Sequence, residues 1–303
     1  MSHRSVHVLG MMGLGDNLYM RPYVHALRRQ VDELYLSTPW PELYDGLDVL
    51  FVKPATRLRT QAKNLTRTDA VWSTPPAGVR TIRVGYSAND MRTGSIQTAL
   101  KRVFGVPGAH VIPLLGLPAS PVTVDKPVAV IRPVTVRREW LNPARNPKPQ
   151  YIHDAAYELA EAGYHVVSVA DIVQGLEWID GREPFAHQRF HKGELNVRQL
   201  MALVAHASVV VGGVGWIVPA ALTTRVPTFI VYGGNGGNNG PSKILPESLP
   251  ANIAWAAPNP LCGCASSTHS CNKEIHAFDR KFAEWLARPD VRSNRRHFDV
   301  LVA

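Results

Sequence analysis

The chain has 303 residues, 45% hydrophobic and 19% charged, with a formal net charge of +9. These values exclude a disordered polar chain, exceed one typical core, and lead us to expect two domains of about 150 residues each. The excess of Lys and Arg points to an anionic partner: nucleic acid, phosphorylated glycan, anionic membrane surface or nucleotide. No apolar run reaches the roughly 18 residues of a membrane span, and the opening Met-Ser-His-Arg-Ser lacks the apolar core of a signal peptide, so a cytoplasmic location is expected. The three cysteines fall between Cys262 and Cys271, which argues against a disulfide scaffold.

Residues 6–10 form an apolar run that predicts a buried parallel strand. The turn Gly13-Leu14-Gly15-Asp16 follows, then a helix over 17–31 with Leu18, Tyr23, Leu27 and Val31 at near-helical spacing. The glycines permit a tight turn and close approach of a ligand, and the helix start offers free amides. Asp16 at this position either caps the helix or acts as a base on a substrate. The spacing fits neither G-x-G-x-x-G nor a P-loop. Strands are predicted over 34–38, 48–52 and 81–86, and a helix over 94–103 ending at Gly105. Lys53, Arg57, Arg59, Lys63 and Arg67 occupy a stretch without an acid. It reads as a solvated basic face or as an electropositive wall for a phosphate- or carboxylate-bearing acceptor. Residues 114–126, with Pro118 and Pro121, have a linker composition.

The β/α alternation then restarts, with strands over 128–132, 165–170, 208–212 and 227–232 and helices over 151–162, 197–206 and 216–223. The segment after the first of these strands carries Thr135, Arg137, Arg138 and Trp140, with Arg145 and Lys148 beyond. A hydroxyl and adjacent arginines at a strand's C-terminal end suit a diphosphate; incidental surface charge is the other reading. Gly212, Gly213 and Gly215 leave the turn after residue 211 bare, and residues 233–240, including Gly234, form a second glycine-rich loop, a long turn or a place of ligand approach. Cys262, Cys264, His269 and Cys271 carry donors for one tetrahedral zinc ion. All four positions would be taken, making the metal structural; reduced buried cysteines or one disulfide are the alternatives. A helix over 273–288, with Ile275, Phe278, Phe282, Trp285 and Leu286 on one side, and a basic tail with Arg292, Arg295 and Arg296 close the chain.

Gly13 to Asp16 with Arg21-Pro22 and Ala26-Leu27-Arg28, and residues 200–234 with Val209-Val210-Val211-Gly212 and Tyr232-Gly233-Gly234, resemble the two signatures of glycosyltransferase family 9, the heptosyltransferase-like enzymes. The resemblance implies an α/β protein of two Rossmann-like domains, parallel sheets facing across a cleft (GT-B type). The expected division is 1–122 on the acceptor side, 123–275 for the nucleotide sugar, and a helix and tail over 276–303 crossing back to the first domain. It implies inverting transfer from a nucleotide-diphosphate sugar to an acceptor hydroxyl, with Asp16 as general base and no cofactor for catalysis. Gly13, Gly15, Arg57, Arg59 and Lys63 would meet the acceptor. Thr135, Arg137, Arg138, Trp140, Gly213, Gly215 and Gly234 would meet the donor. Where the family carries Asp-Ser-Gly and a later His, this chain has Gly213-Val214-Gly215-Trp216 and Pro219, so ADP-heptose does not follow as donor. The implied acceptor is a lipopolysaccharide-core-type saccharide. The alternatives are a hydroxymethylated base in DNA, as in phage-type enzymes, and a non-catalytic nucleotide- or nucleic-acid-binding protein on the same fold.

Overall fold

The apolar run at the start of the chain becomes β1 (Ser5–Leu9), Val6 and Val8 being wholly buried. The computed structural model describes residues 4–107 and 114–294. After β1 come α1 (Leu14–Arg28), β2 (Glu33–Ser37), β3 (Leu50–Val52), α2 (Arg59–Leu65), β4 (Arg80–Arg83), α3 (Ala88–Thr93) and α4 (Ile96–Phe104). The strands form one parallel sheet in the order β3-β2-β1-β4, Val6 lying opposite Leu34 on one side and Arg80 on the other. Leu18, Met20, Val24 and Leu27 of α1 are buried, and Tyr23 stacks on Phe104 of α4 at 5.6 Å. Ser87 and Ser95 close capping boxes at the starts of α3 and α4, and α4 ends on Gly105 with φ 66.

The second half contains β5 (Val128–Arg132), β6 (Thr135–Arg137), α5 (Pro149–Glu161), β7 (His165–Val169), β8 (Glu177–Ile179), β9 (Gln188–Phe190), α6 (Val197–Ala205), β10 (Val209–Gly213), α7 (Ile217–Thr224), β11 (Thr228–Val231), α8 (Gly236–Asn239), α9 (Pro241–Ile244), β12 (Ile253–Ala256) and α10 (Phe278–Leu286). Six strands pair in parallel in the order β12-β11-β10-β5-β7-β9. Numbered from β5, this is the doubly wound order 3-2-1-4-5-6, and the first sheet reproduces its first four places. The chain divides into two compact units, Met1–Pro118 with Asn196–Arg198, and Ala119–Leu195 with Gln199–Ala303. Each is α/β with its own parallel sheet.

The second core joins Ile131, Val211 and Phe229 of the sheet to Ile152 and Leu159 of α5 and to Phe278, Phe282 and Trp285 of α10. Phe229 meets Phe282 edge-on at 5.1 Å; burying each such ring contributes about 1.5–3 kcal/mol. Two expectations need correction here. The helix expected over 273–288 starts at Phe278 and ends at Leu286. Ala277 sits in the left-handed region (φ 52), and the Ile275 N–H, still in extended chain, donates to the Tyr151 hydroxyl at 2.7 Å. Residues 278–286 pack on α5 and the second sheet, which take up their apolar stripe. Arg295 and Arg296 lie outside the described residues. The segment read as a loop after β5 contains β6, paired antiparallel with β8. Among the described residues no helix is long and apolar enough to cross a membrane.

Candidate functional site

Open parallel sheets bind ligands beyond their strands' C-terminal ends, where strand order reverses. In the first sheet that place lies between β1 and β4. The chain leaves β1 through residues 10–13, and this turn is pinned by its own carbonyls. Buried Asn17 donates to Met11 O (2.7 Å) and Gly13 O (2.8 Å), and Trp40 Nε1 donates to Met12 O (2.9 Å). Asn17 is held in turn by the Thr38 and Tyr44 hydroxyls, which donate to its Oδ1. Asp16, half-buried in the first turn of α1, projects from this frame, and the Tyr86 hydroxyl donates to its Oδ1 at 2.7 Å. Tyr86 stands there because Val84 N–H donates to Leu9 O, extending the β1–β4 pairing past the strands. Gly13 has φ −72, which any residue adopts, yet a Cβ there would collide with Asp16 Oδ2. Its bareness thus makes room for the carboxylate. Gly15, the second position of α1, adds no side chain to this turn.

The corresponding place in the second sheet lies between β5 and β10. Arg132 ends β5 there, and its Nη2 donates to Thr135 Oγ1 at 3.2 Å. A Cβ on Gly215 would lie 3.7 Å from Arg132 Nη1, so the bare turn after β10 sits beside the guanidinium. Burial pushes Arg132 down to about 10, with Glu177 opposing and Arg145 and Arg137 adding to the fall; it stays cationic at neutral pH. Arg137 directs Nε to the buried Glu177 carboxylate at 2.8 Å, so this expected donor ligand is committed to an ion pair. Arg138 and Trp140 are exposed, Trp140 by 63%. A side chain on Gly213 would meet Pro147 at 3.1 Å.

The glycine-rich loop over 233–240 runs close against its own protein neighbours. Gly234 N–H donates to Ala144 O (2.8 Å), Gly236 N–H to Cys262 O (2.7 Å) and Gly237 N–H to Cys264 O (3.0 Å), and a Cβ on Gly234 would strike Cys271. Ala144 N–H donates to Ser267 O (3.0 Å) and Lys273 Nζ to Pro143 O (2.6 Å). The segment after β6, the glycine loop and the cysteine segment therefore interlock.

Cys262, Cys264, His269 and Cys271 bring one ligand atom each within 4.8 Å of one another. Cys264 Sγ lies 3.5 Å from Cys271 Sγ, and His269 Nδ1 lies 3.6 Å from Cys262 Sγ and 3.3 Å from Cys271 Sγ. The edges of a tetrahedron with metal–sulfur and metal–nitrogen bonds of about 2.3 and 2.0 Å are about 3.5–3.8 Å, and the three contacts above lie near that range, so the donor set could hold one ion. Burial raises the Cys264 thiol, but hydrogen bonding with the Cys271 and Cys262 sulfurs brings it below its usual range. The sulfurs are free thiols rather than a disulfide.

The basic stretch divides. Lys53 and Arg57, with Thr56 and Thr66, line a cavity of about 530 Å³ in the first unit. Arg59 and Lys63 lie one turn apart on α2, outside that lining. Sequence reasoning missed Tyr86, Arg132 and Glu177. Only Arg132 left a signal, as a charge ending an otherwise buried apolar strand.

No family model matches the sequence, and no curated protein matches it. Solved structures do match the fold. The bacterial iron-containing dodecameric glycosyltransferase TibC from enterotoxigenic E. coli is 17% identical, with 99% of this chain and 77% of that one covered at a TM-score of 0.62. The TibC heptosyltransferase in complex with ADP-D-β-D-heptose gives 19% identity, 100% and 78% coverage and 0.60. The E. coli ADP-heptose lipopolysaccharide heptosyltransferase II gives 14%, 93% and 98%, and 0.51. The chain has the fold of these heptosyltransferase structures, built here of two Rossmann-like units each with its own parallel sheet.

Proposed function

We propose that the protein is an inverting glycosyltransferase that moves a sugar from a nucleotide-diphosphate sugar to a hydroxyl of an anionic saccharide of the lipopolysaccharide-core type. The observation that carries this reading is Asp16, a carboxylate fixed at the reversal point of the first sheet by a rigid turn and a phenol. The acceptor oxygen attacks the anomeric carbon, the bond from that carbon to the diphosphate oxygen breaks, and its electron pair leaves with the diphosphate. Asp16 takes the acceptor proton. Arg132 with the Thr135 hydroxyl, exposed Arg138, and the bare turn at Gly213 and Gly215 receive the negative charge. Of the two adjacent arginines, Arg137 serves by holding Glu177. A cavity of about 530 Å³ lined by Lys53 and Arg57 suits a small anionic sugar better than a duplex. The four-donor cluster would hold one ion as a structural staple, its positions filled by Cys262, Cys264, His269 and Cys271.

The test is release of nucleoside diphosphate from a panel of ADP-, UDP- and GDP-sugars, with lipopolysaccharide-core oligosaccharide or hydroxymethylated DNA as acceptor. Release stimulated by the oligosaccharide is expected. Stimulation by DNA alone would transfer the assignment to base modification, and no turnover in any lane would leave a binding protein.

A further inference from the structure

We propose that Tyr86 and Gly13 together position the Asp16 carboxylate as the base, Tyr86 holding Oδ1 and Gly13 vacating the space that Oδ2 occupies. The assignment rests on the glycosyl-transfer reading and names residues to which that reading gives no such role. A carboxylate on a helix's first turn has several rotamers, and a base must hold one of them. The Tyr86 O–H donates to Oδ1 at 2.7 Å from a residue 70 positions away. This bond fixes the torsion of the carboxylate and neutralises part of the charge on one oxygen. The other oxygen lies over the Gly13 Cα, in the space a Cβ would fill. Gly13 has φ −72 and ψ 146, so its backbone has no need of glycine. Glycine at this position follows from the carboxylate rather than from the turn. Asp16 and Tyr86 are both half-buried and so remain reachable from solvent. The proton passes from the acceptor hydroxyl to the Asp16 carboxylate, and Tyr86 keeps its own.

A bond of this kind could also be a plain staple between β4 and α1, and the experiment separates the two roles. Tyr86→Phe keeps the ring and loses only the hydroxyl; Gly13→Ala adds only a methyl group. Both are assayed beside wild type with the nucleotide sugar and the core oligosaccharide that wild type turns over fastest. The expected result for each is a fall in kcat of about 10- to 100-fold through misplacement of the base, with donor KM and thermal midpoint unchanged. In an Asp16→Asn background, residual turnover measured over long incubations should not fall further when Tyr86→Phe is added, because the two changes act through one group. Full kcat with a lowered thermal midpoint in both single variants would make the contact a staple and overturn the assignment. Equal losses from Tyr86→Phe with and without Asp16 would overturn it too. Absence of transfer by wild type would remove the parent reading instead, and this assignment with it. Transfer by wild type that survives Asp16→Asn would show that the base lies elsewhere.

Discussion

The two sheets share a strand order at their reversal points, yet the side chains gathered there are opposite in kind. At the end of β1 the backbone is pinned by neutral groups, Asn17, Trp40 and Thr38, around one acid, Asp16. At the end of β5 three arginines, Arg132, Arg137 and Arg145, share the field of one buried acid, Glu177. The first place presents a carboxylate that can accept a proton. The second holds surplus positive charge and bare backbone, and can accept an anion but no proton. Fold repetition supplies two equivalent platforms, and the residues that end each central strand decide what each platform does.

The largest effect should come from the acid. Asp16→Asn is expected to reduce turnover roughly 100- to 10,000-fold, while calorimetry finds nucleoside diphosphate bound as in wild type. A parallel loss of diphosphate affinity would erase the division of labour between the sheets. Next comes the ion pair that holds the cationic side together. Arg137→Ala removes one charge-assisted hydrogen bond from the buried Glu177 carboxylate, with Arg132 still in its field, and should cost about 1.5–3 kcal/mol in urea unfolding. Arg138→Ala, on an exposed side chain, should leave the midpoint unchanged. Equal midpoints for the two variants would mean that Arg137 does not serve the fold.

The legible part of this comparison was local. Gly13 to Asp16 after an apolar run announced the first platform, and Val128–Arg132 opened the second with the same strand pattern. What the sequence hid were partners distant along the chain. Tyr86 reaches Asp16 only because β4 pairs with β1, and adjacency in a parallel sheet leaves no trace in hydrophobic pattern. Glu177 reaches Arg137 only because the three-residue strands β6 and β8 pair; strands that short carry no periodicity. The glycines over 233–240 show how little an absent side chain says about which neighbour it meets. Glycine announces a close neighbour, and here one such neighbour is the cysteine segment, which no local pattern shows. The apolar spacing from Ile275 to Leu286 suits a continuous helix, but residues before Phe278 use their backbone to bind Tyr151 instead.

Two smaller effects sharpen the cationic side. Arg132→Met keeps bulk and removes charge, and should weaken nucleoside diphosphate about 10- to 150-fold, equivalent to 1.5–3 kcal/mol, while free nucleoside binds as before. Equal weakening of both ligands would move the phosphates away from β5. Metal analysis of purified protein should find about one ion per chain. Its removal by chelator, or Cys264→Ser, should lower the thermal midpoint by a few degrees, about 1 kcal/mol for a unit of this size. Amide exchange should rise at Ala144, Gly234, Gly236 and Gly237, whose N–H groups bond into the interlocked segments. Protection unchanged after metal loss would show that the loops hold one another without it.

The smallest effect concerns the acceptor side and decides its nature. Lys53 and Arg57 line one cavity, while Arg59 and Lys63 stand outside it. An anionic saccharide seated there would be met by one or two charges. Its affinity should then fall gently with salt, and Lys53→Ala and Arg57→Ala should each cost more than Arg59→Ala or Lys63→Ala. A duplex would instead be met by charges spread along a surface. The logarithm of affinity would fall with the logarithm of salt by about 0.9 per phosphate neutralised, and each of the four substitutions would reduce that slope by about one unit. A salt titration of binding to core oligosaccharide and to hydroxymethylated duplex, by wild type and these four variants, reads both patterns. We expect the shallow slope, with the loss concentrated at Lys53 and Arg57. A steep slope shared by all four would show that the neutral, acid-bearing platform of the first sheet works on a polyanion held by its surroundings.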